Sequence, residues 1–461
     1  MAMTGVPAAD RLHIGFFGMR NAGKSSVVNA VTEQDLSVVS DVKGTTTDPV
    51  QKTMELLPIG PVVIIDTPGF DDTGTLGDLR VRKTREILNR VDIAVLVVDA
   101  SVGVTRADRQ LIDVFREKEI AYVIAYNKAD LIGGQEGGDS LPVSGNEFSS
   151  FTEADYEKAL VRDADGHVHG EVFVSAKEND GIYFLKAVIG KLGKTTLETK
   201  GLLDGLLEPG DRFILVIPVD SSAPKERLIL PQQMMLSEIL SHHASAVCVQ
   251  PEELPDALEK LGCTKCGEPV VFTKEKPCPV KLVITDSQAF RRVAKTVPEN
   301  VPLTSFSVLM ARFKGLLASA VRGVAAIEGL TDGDTVLISE GCTHHRQCDD
   351  IGTYKIPTWL KEYTGKEITI RTSSGYDFPE DLSPYRLIIH CGGCMLNERE
   401  VRFRMEQAKD RGVPITNYGI TIAYMNHILE RATRIFPDLH RVLEKANTPR
   451  NATTEGFKTR G

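Results

Sequence analysis

An apolar run that leads directly into a glycine-rich loop and a helical pattern constrains this chain more than any other feature. In RLHIGFFGMRNAGKSSVVNAV, residues 12–17 predict a buried strand, and a helix begins near Lys24. Gly18-x4-Gly23-Lys24-Ser25 stands between them, in the spacing and context of a phosphate-binding loop. Glycines let backbone N–H groups turn toward phosphate oxygens, and the N-terminal end of the helix adds positive charge. The residues predicted to contact the nucleotide here are Gly18, Asn21, Ala22, Gly23, Lys24, Ser25 and Ser26.

Magnesium and the γ-phosphate require groups from this loop and from two later segments. Lys24 places a point charge on the outer phosphates, and Ser25 offers its hydroxyl to magnesium. The strand in VVIIDTPGFDD ends in Asp66, which we expect to hold magnesium through water, and the Gly69 N–H is placed to sense a γ-phosphate. In VKGTTTDPV, Thr46 is the candidate for closing on magnesium, and a threonine-rich surface loop is the alternative. The predicted catalytic residues are Lys24, Thr46 and Gly69.

The choice of base is indicated by two further strand ends. YVIAYNKADL ends a strand in Asn127-Lys128-Ala129-Asp130, and the Asp130 carboxylate can accept two N–H bonds that guanine offers and adenine does not. EVFVSAKENDGI ends a strand in a segment whose backbone can meet the guanine carbonyl. Together these motifs favour GTP over ATP, and strands alternating with helices predict a doubly wound, mostly parallel sheet. The predicted base-side residues are Asn127, Lys128, Asp130, Ser175, Ala176 and Lys177.

The length and the net charge of the chain limit the number of domains and the classes of protein that it can form. The 461 residues are enough for two to four domains, and the net charge of -9 argues against a protein that grips nucleic acid. No apolar run approaches the roughly 18 residues of a membrane span, since Asp92 and Asp99 bracket VDIAVLVVDA. The first residues lack the pattern of a signal peptide, so we expect a cytoplasmic protein. Its 8 cysteines are then better explained as ligands, reactive thiols or packing than as disulfides.

A boundary near residues 195–205 separates this nucleotide-binding region from a second α/β segment. FILVIPVD predicts a buried strand, and PQQMMLSEILSHHA predicts a helix with an apolar stripe at Met234, Ile239 and Leu240. Few residues here carry chemistry, which suggests an interaction or dimerisation module. Cys263-x-x-Cys266, with Cys278 as a possible completion, is either an unbound pair or a zinc or redox pair.

The last segment places cysteines and histidines after two predicted strands. DTVLISEGCTHHRQCDDIG is a strand over 335–339 followed by Cys-x-His, and YRLIIHCGGCML is a strand over 385–389 followed by His-Cys-x-x-Cys. If these strands are parallel neighbours, their carboxyl ends bring the two groups together. Three thiolates and an imidazole fit tetrahedral zinc or an iron–sulfur cluster, while a redox dithiol and simple packing stay open. The converging side chains would be Cys342, His344, Cys391 and Cys394.

The first region resembles the TrmE-Era branch of translation-factor-like GTPases. NAGKSS, GTTTD, DTPG, NKAD and SAK carry this resemblance. Phe70 follows DTPG where Ras-like proteins place a water-orienting glutamine, so intrinsic hydrolysis should be slow without another aid. Asn21 matches the asparagine that holds a monovalent cation in potassium-activated members, which predicts stimulation of hydrolysis by potassium. A loop-capping asparagine is the alternative for Asn21.

Over essentially its full length the chain resembles the FeFe-hydrogenase maturation GTPases, the HydF family. The resemblance is carried by APKERLILPQ, LVITDSQAF, LTSFSVLMARFKG, CTHH, DDIG, KIPTWL and HCGGCM. It implies a 4Fe-4S cluster on Cys342, Cys391 and Cys394, with a fourth position open to His344, His390, a carboxylate or solvent. Of these, His344 is the favoured protein ligand. CTKCGEPVVFTKEKPC departs from the family pattern.

The resemblance also implies partners and a domain plan. A HydF protein would be a homodimer or higher oligomer that accepts the diiron H-cluster precursor from two radical-SAM maturases and delivers it to apo FeFe-hydrogenase. The plan is a doubly wound P-loop GTPase domain over 1–198, a dimerisation domain over 205–305 and an iron–sulfur domain over 306–461, the last two smaller α/β domains. The alternative is a GTPase of tRNA modification or ribosome assembly with a structural zinc site, whose reconstituted protein would be colourless rather than brown.

Overall fold

The computed structural model divides the chain into two compact units, Met1–Thr199 and Lys200–Gly461. It describes residues 11–33, 50–67, 86–132, 151–163, 165–196, 201–218, 228–287, 289–341, 351–393 and 396–439. Within these ranges, no helix is both long enough and apolar enough to cross a membrane.

The first unit is built on a mainly parallel sheet. The described strands follow the order β2-β3-β1-β4-β5-β7-β6, with β2 and β6 antiparallel to their neighbours and the other pairs parallel. The strands are β1 (Leu12–Gly18), β2 (Val50–Leu56), β3 (Gly60–Asp66), β4 (Ile93–Asp99), β5 (Ala121–Asn127), β6 (Leu160–Arg162) and β7 (Val168–Phe173).

Both faces of this sheet are buried, as the apolar runs of its strands predict. Alternate side chains of β1 lie on opposite faces of the sheet. Ile14 and Phe16 belong to the apolar cluster on one face, and Phe17 packs with Phe115 in the cluster on the other face. Helices pack on both sides, so the unit is a doubly wound α/β fold, as predicted. The described helices are α1 (Lys24–Thr32), α2 (Arg106–Glu117), α3 (Glu153–Ala159) and α4 (Ile182–Thr196), with a 3-10 turn at Ala129–Leu131.

The second unit contains a pair of parallel sheets among its described residues. The first has the order β13-β12-β8-β9 and the second the order β15-β14-β16-β17, and a short antiparallel hairpin, β10-β11, precedes β12 along the chain. The strands are β8 (Arg212–Val216), β9 (Ser245–Val249), β10 (Thr264–Lys265), β11 (Glu268–Pro269), β12 (Leu282–Thr285), β13 (Leu303–Ser305), β14 (Thr335–Glu340), β15 (Thr369–Ser374), β16 (Leu387–His390) and β17 (Ile415–Asn417).

A single apolar cluster joins the two sheets. It includes Val283 and Leu303 from the first sheet with Ile338 and Ile389 from the second, which explains why residues 200–461 group as one unit. The helices are α5 (Leu230–Ser241), α6 (Leu254–Lys260), α7 (Phe290–Thr296), α8 (Phe306–Phe313), α9 (Leu317–Val324), α10 (Ile356–Thr364), α11 (Glu398–Asp410), α12 (Tyr418–Met425) and α13 (Leu429–Thr433), with a 3-10 turn at Ala325–Gly329 and a π turn at Ile351–Lys355.

The buried face of α5 differs from the predicted stripe. Gln232, Met235 and Ile239 are buried, whereas Leu240 is 60% exposed. The inward residues follow the i, i+3, i+7 spacing of one helical face, and Met235 and Ile239 pack in a cluster with Phe213 of β8. Packing on the sheet therefore selects a face rotated from the one that simple hydrophobicity suggested.

Candidate nucleotide site and cysteine-bearing strand ends

Glycines shape the turn between β1 and α1. Gly18 ends β1 with φ +156°, and a Cβ there would lie 2.5 Å from the Val97 carbonyl oxygen. Gly23 precedes α1 with φ +84°, and a Cβ there would clash with the Asn127 amide nitrogen. Only glycine satisfies both the left-handed conformation and the close approach. The loop thus has the narrow form that lets backbone N–H groups surround phosphate oxygens.

The side chains predicted for phosphate and magnesium lie beside one another. Lys24 is buried at the start of α1 and forms an ion pair with Asp66, the last residue of β3. Thr67 donates a hydrogen bond from its hydroxyl to the Phe16 carbonyl at 2.7 Å, which joins the end of β3 to β1. Ser25 and Ser26 are exposed on the first turn of α1. Ser25 follows Lys24 in the chain, so the Lys24–Asp66 pair brings the start of α1 to the end of β3.

Asn127 holds the phosphate loop against the loop that follows β7. Its side chain is buried, and its amide N–H donates to the Ala22 carbonyl at 3.0 Å. Its amide oxygen accepts from the Ala176 N–H at 3.1 Å. Both ends of the Asn127 amide are therefore used to fix the two loops relative to each other, and removal of this side chain would leave buried backbone groups unpaired.

The base-side carboxylate is exposed and oriented. Asp130 accepts a hydrogen bond from the Ser175 hydroxyl at 2.7 Å, and its carboxylate remains open to solvent. Lys128 stands at φ +64° and donates to Asp99 at 2.6 Å. That hydrogen bond, together with one from Ser101, holds the pKa of Asp99 below its ordinary value. Sequence reasoning missed the contact of Asp99 with Lys128, although the place of Asp99 at the end of β4, next to β5, was a usable signal.

Some of the other residues predicted to contact the nucleotide lie within the described part of the chain, and others lie outside it. Asn21 is exposed at φ 69°, in the phosphate loop. Lys177 is exposed and pairs with Glu178. β7 ends at Phe173, two residues before Ser175, which forms an isolated bridge with Asp180 instead. Thr46 and Gly69 lie outside the described residues.

In the second unit, Cys391 follows β16 at the edge where β14 also ends. The two strands are adjacent and parallel, with Ser339 opposite His390. The Cys391 N–H donates to the Ser339 carbonyl at 2.8 Å, which continues the ladder by one bond. The Cys391 sulfur accepts from the Gly341 N–H at 3.0 Å and from the Gly393 N–H at 3.3 Å. Two backbone donors aimed at one sulfur suit a thiolate that ligates a metal centre.

The His390 side chain points into the protein interior, away from the strand-end edge that carries Cys391. Its side chain is buried, with Nδ1 2.7 Å from the Cys391 carbonyl oxygen and Nε2 3.3 Å from a guanidinium nitrogen of Arg404. Burial, and then the charge of Arg404, lowers the pKa of His390 to about 3. A neutral ring that donates through Nδ1 and accepts through Nε2 satisfies both contacts. Since both ring nitrogens are engaged, the geometry disfavours His390 as a cluster ligand.

Arg404 of α11 contacts several groups near the ends of β14 and β16. It is fully buried and donates to Glu400 at 2.8 Å and to the Gly375 carbonyl at 2.7 Å. The same guanidinium donates to the Ser339 hydroxyl at 3.2 Å and faces His390. One cation thus fixes residues of β14 and β16 immediately before the cysteine. The sequence carried no signal for this role, because α11 is rich in exposed charged residues of the same types.

Glu340 and Tyr418 form a second polar contact at the end of β14. The Tyr418 hydroxyl donates to the buried Glu340 carboxylate at 3.1 Å. Any side chain at Gly352 would overlap both groups. Glu340 directly precedes Gly341, so this contact fixes the backbone that donates to the Cys391 sulfur.

The adjacency of β14 and β16 is the premise on which the predicted cysteine convergence rested. Of the four predicted ligands, only Cys391 lies within the described residues, and Cys342, His344 and Cys394 lie outside them. Among the described residues, no group of three or more His, Cys, Asp and Glu side chains is arranged to hold a metal ion. The convergence of all four side chains stays a prediction.

Comparison with protein families assigns each part of the chain. Residues 13–128 match the model of the 50S ribosome-binding GTPase family. Residues 202–315 match the hydrogen maturase F dimerization domain, and residues 318–435 match the hydrogen maturase F tetramerization domain. The last two matches together span just over half of the chain.

Curated relatives and solved structures are similar to parts of the chain. It is 36% identical over 131 residues to the tRNA modification GTPase MnmE of Desulforamulus reducens, covering 28% of each chain. It is 38% identical over 133 residues to GTPase Der of Maridesulfovibrio salexigens, covering 28% of this chain and 29% of that protein. Both relatives are matched over less than a third of their own length. The structure of Aquifex aeolicus Era bound to GDP and AlF4- matches with TM-score 0.30 and 17% identity, covering 55% of this chain and 99% of that one.

The fold and the site together define the class of protein. It is a P-loop GTPase followed by two parallel α/β sheets, and the second sheet carries a cysteine at the edge where its strands end. The two domain models that follow the GTPase then define the family. The chain belongs to the hydrogen maturase F family.

Proposed function

We propose that this protein is a GTP-hydrolysing scaffold that carries a 4Fe-4S cluster and delivers the diiron H-cluster precursor to apo FeFe-hydrogenase. The observation that carries the proposal is the environment of Cys391. Its sulfur receives two backbone N–H bonds at the edge where two parallel strands end, within a hydrogen maturase F chain. The precursor reaches the scaffold from two radical-SAM maturases and is its cargo, distinct from the resident cluster.

The proposed cluster ligands are Cys342, Cys391 and Cys394, with His344 as the candidate fourth. Gly341 links the described edge to this set, because its N–H contacts the Cys391 sulfur and Cys342 is the next residue. An iron–sulfur cluster with three thiolates supplies one iron position that exchangeable groups can occupy. The residues of this chain orient Cys391 through Ser339 and Arg404, and the N–H groups compensate negative charge on its sulfur.

The GTPase unit is proposed to gate association with partners. Ser25, Thr46 and Asp66 would hold magnesium, and Thr46 and Gly69 would respond to the γ-phosphate by ordering switch loops. Asn21 would hold potassium beside the phosphates, where a cation stabilises charge that develops during hydrolysis. Equal affinities of the GTP-bound and GDP-bound forms for the hydrogenase and for both maturases would rule out this gating.

The assembly is proposed to be a homo-oligomer built through the second unit. Its matches to a dimerization and a tetramerization domain support this. The proposed division is GTPase 1–198, dimerisation 205–305 and cluster domain 306–461. We do not favour the alternative role in tRNA modification or ribosome assembly, because residues 202–315 and 318–435 match hydrogen maturase F domains.

Iron, sulfide and zinc analysis with EPR on anaerobically reconstituted protein tests the cluster. We expect brown protein with iron and sulfide in the stoichiometry of a 4Fe-4S cluster. The Cys391→Ser variant should lose most of that iron and sulfide. Cys248→Ser is the matched control, because Cys248 is an exposed thiol on β9. Colourless protein with stoichiometric zinc, or full cluster content in Cys391→Ser, would reject the proposal.

Rates of GTP hydrolysis in potassium and in sodium test the cation role separately. Wild type should be faster in potassium, and Asn21→Ala should lose that difference while it still binds nucleotide. Arg20→Ala is a suitable control, since Arg20 is the exposed neighbour in the same loop. Equal wild-type rates in the two salts would remove potassium from the proposal without touching the cluster.

A further inference from the structure

The second unit repeats one arrangement of strands in its two parallel sheets. In each sheet the first strand along the chain, β8 or β14, has the second strand on one side and the third and then the fourth strand on the other. Local hydrogen bonds are repeated as well. The Asp211 carboxylate accepts from the Glu208 N–H at 2.8 Å, and the Asp334 carboxylate accepts from the Thr331 N–H at 2.8 Å. The unit is therefore built of two structural repeats, the first around β8 and the second around β14.

The two repeats also correspond where the fourth strand leads into a helix. In both, the last residue of the strand caps the first turn of the helix: the Ser305 hydroxyl accepts a backbone N–H at 3.2 Å, and the Asn417 side chain accepts one at 2.8 Å. The helices that follow, α8 and α12, are each 8 residues long. Lys314 and Asn426 come directly after them, so these two residues occupy equivalent positions in the fold.

The two equivalent residues use their side chains differently. The Asn426 amide donates to the Ile422 carbonyl of its own helix at 2.8 Å. The Lys314 side chain is only 3% exposed, and its Nζ donates to the Leu396 carbonyl of the other repeat at 3.4 Å. Burial of an ammonium group costs free energy, and α12 ends without one. The fold of a repeat therefore does not require a buried cation at this position.

Leu396 connects the Lys314 ammonium group with the edge that carries Cys391. The Leu396 N–H donates to the Gly393 carbonyl at 3.1 Å, and the Gly393 N–H donates to the Cys391 sulfur at 3.3 Å. The Leu396 side chain is buried against Gly341, where a Cβ would lie 2.8 Å from Leu396 Cγ and 3.5 Å from Cys391 Sγ. Lys314 therefore places a positive charge against the segment that begins at the proposed ligand Cys391.

We propose that Lys314 is a positioning residue for the iron–sulfur cluster, which holds the segment after Cys391 and favours the reduced cluster through its charge. The inference rests on the cluster of the proposed function. Three thiolates give such a cluster a net negative charge, and one-electron reduction makes that charge more negative. A buried cation nearby stabilises the reduced form, because the protein interior screens the attraction weakly. The reduction potential of the cluster is therefore higher with Lys314 than without it.

Redox titration followed by EPR on the anaerobically reconstituted full chain measures this effect. Lys314→Met should lower the equilibrium constant for reduction about tenfold, which is about 59 mV for one electron. Lys314→Arg keeps the charge and should change that constant less than about threefold. Lys295→Met is the matched charge control, because Lys295 is an exposed lysine on α7 of the first repeat. Water screens its charge, so this variant should have the wild-type potential.

Iron and sulfide content separates this inference from the proposed function. A wild-type protein without a cluster would reject the proposed function and this inference with it. A cluster-loaded Lys314→Met protein with the wild-type potential, or a higher one, would reject only the role of Lys314.

A further variant covers the case in which Lys314→Met does not retain the cluster. Lys314→Gln keeps a hydrogen-bond donor and lacks the charge, so it then replaces Lys314→Met in the comparison with Lys314→Arg. A lower potential in Lys314→Gln than in Lys314→Arg supports the role of the charge. Equal potentials for these two variants, or loss of the cluster from all three, would overturn it.

Discussion

Replacing Arg404 with methionine tests how the strand ends beneath Cys391 are held. Methionine keeps much of the side-chain volume and removes the guanidinium, so Glu400, which is also buried, loses its cation. The hydrogen bonds to the Gly375 carbonyl and to Ser339 are lost with it. Breaking one partner of a buried pair costs about 3–5 kcal/mol, since an uncompensated charge stays inside. At about 2–4 °C per kcal/mol for a domain of this size, the melting temperature should fall by about 10 °C.

The same helix offers a matched control. Arg402 pairs with Glu398 at the same i, i+4 spacing, but both side chains are largely exposed, at 58% and 41%. Such a pair contributes less than about 0.5 kcal/mol, because water screens both charges. Arg402→Met should therefore melt within about 2 °C of wild type. Comparing the two variants isolates burial, since residue type, helix and spacing are shared.

Scanning calorimetry of the full chain measures the effect. Added GTP should raise the transition of the first unit and so identify the other transition as that of residues 200–461. Glu400→Gln combined with Arg404→Met should recover about 2 kcal/mol relative to Arg404→Met, because the buried carboxylate is neutralised. Equal melting temperatures for Arg404→Met and Arg402→Met would refute the argument. So would a double variant that is no more stable than Arg404→Met alone.

Three further outcomes follow from the nucleotide site. Gly23→Ala should weaken binding of a fluorescent GTP analogue at least tenfold, because its Cβ would displace Asn127 from the loop; unchanged affinity would contradict this. Asp130→Asn should lower affinity for GTP about a hundredfold and favour xanthosine triphosphate in competition binding, since an amide cannot accept two guanine N–H bonds; retained GTP preference would remove Asp130 from base recognition. Lys128 holds the pKa of Asp99 below its ordinary 3.8, so ionised Asp99 stabilises the folded unit above that pH. The gap in unfolding free energy between wild type and Asp99→Asn, from urea titrations, should close as the pH falls below 3.8; a gap that widens there would contradict the sign.

The phosphate loop was predictable because its determinants are local. An apolar run fixes β1, glycines fix the turn, and the helical pattern fixes α1 at Lys24, where the structure begins the helix. Asp66 and Asn127 end their strands as predicted. A parallel sheet then brings these strand ends to one edge without further instruction.

Strand boundaries farther along the chain were less predictable. β16 runs over Leu387–His390, whereas the sequence indicated 385–389, and β14 includes Glu340. The ladder with neighbouring strands decides where hydrogen bonding begins and ends, and apolarity alone does not report it. This shift matters, because it places His390 in the strand and beside Arg404, away from the open edge.

By itself, the sequence determined the doubly wound GTPase fold and the family, because both rest on short motifs and on the period of apolar runs. Tertiary structure decided which long-range partners meet. It buried Cys263 and left Cys266 exposed, it turned Met235 rather than Leu240 toward the sheet, and it buried Arg404 but not Arg402. Each of these is a choice between chemically similar residues. Position relative to another element makes that choice, and the pattern along the chain does not contain it.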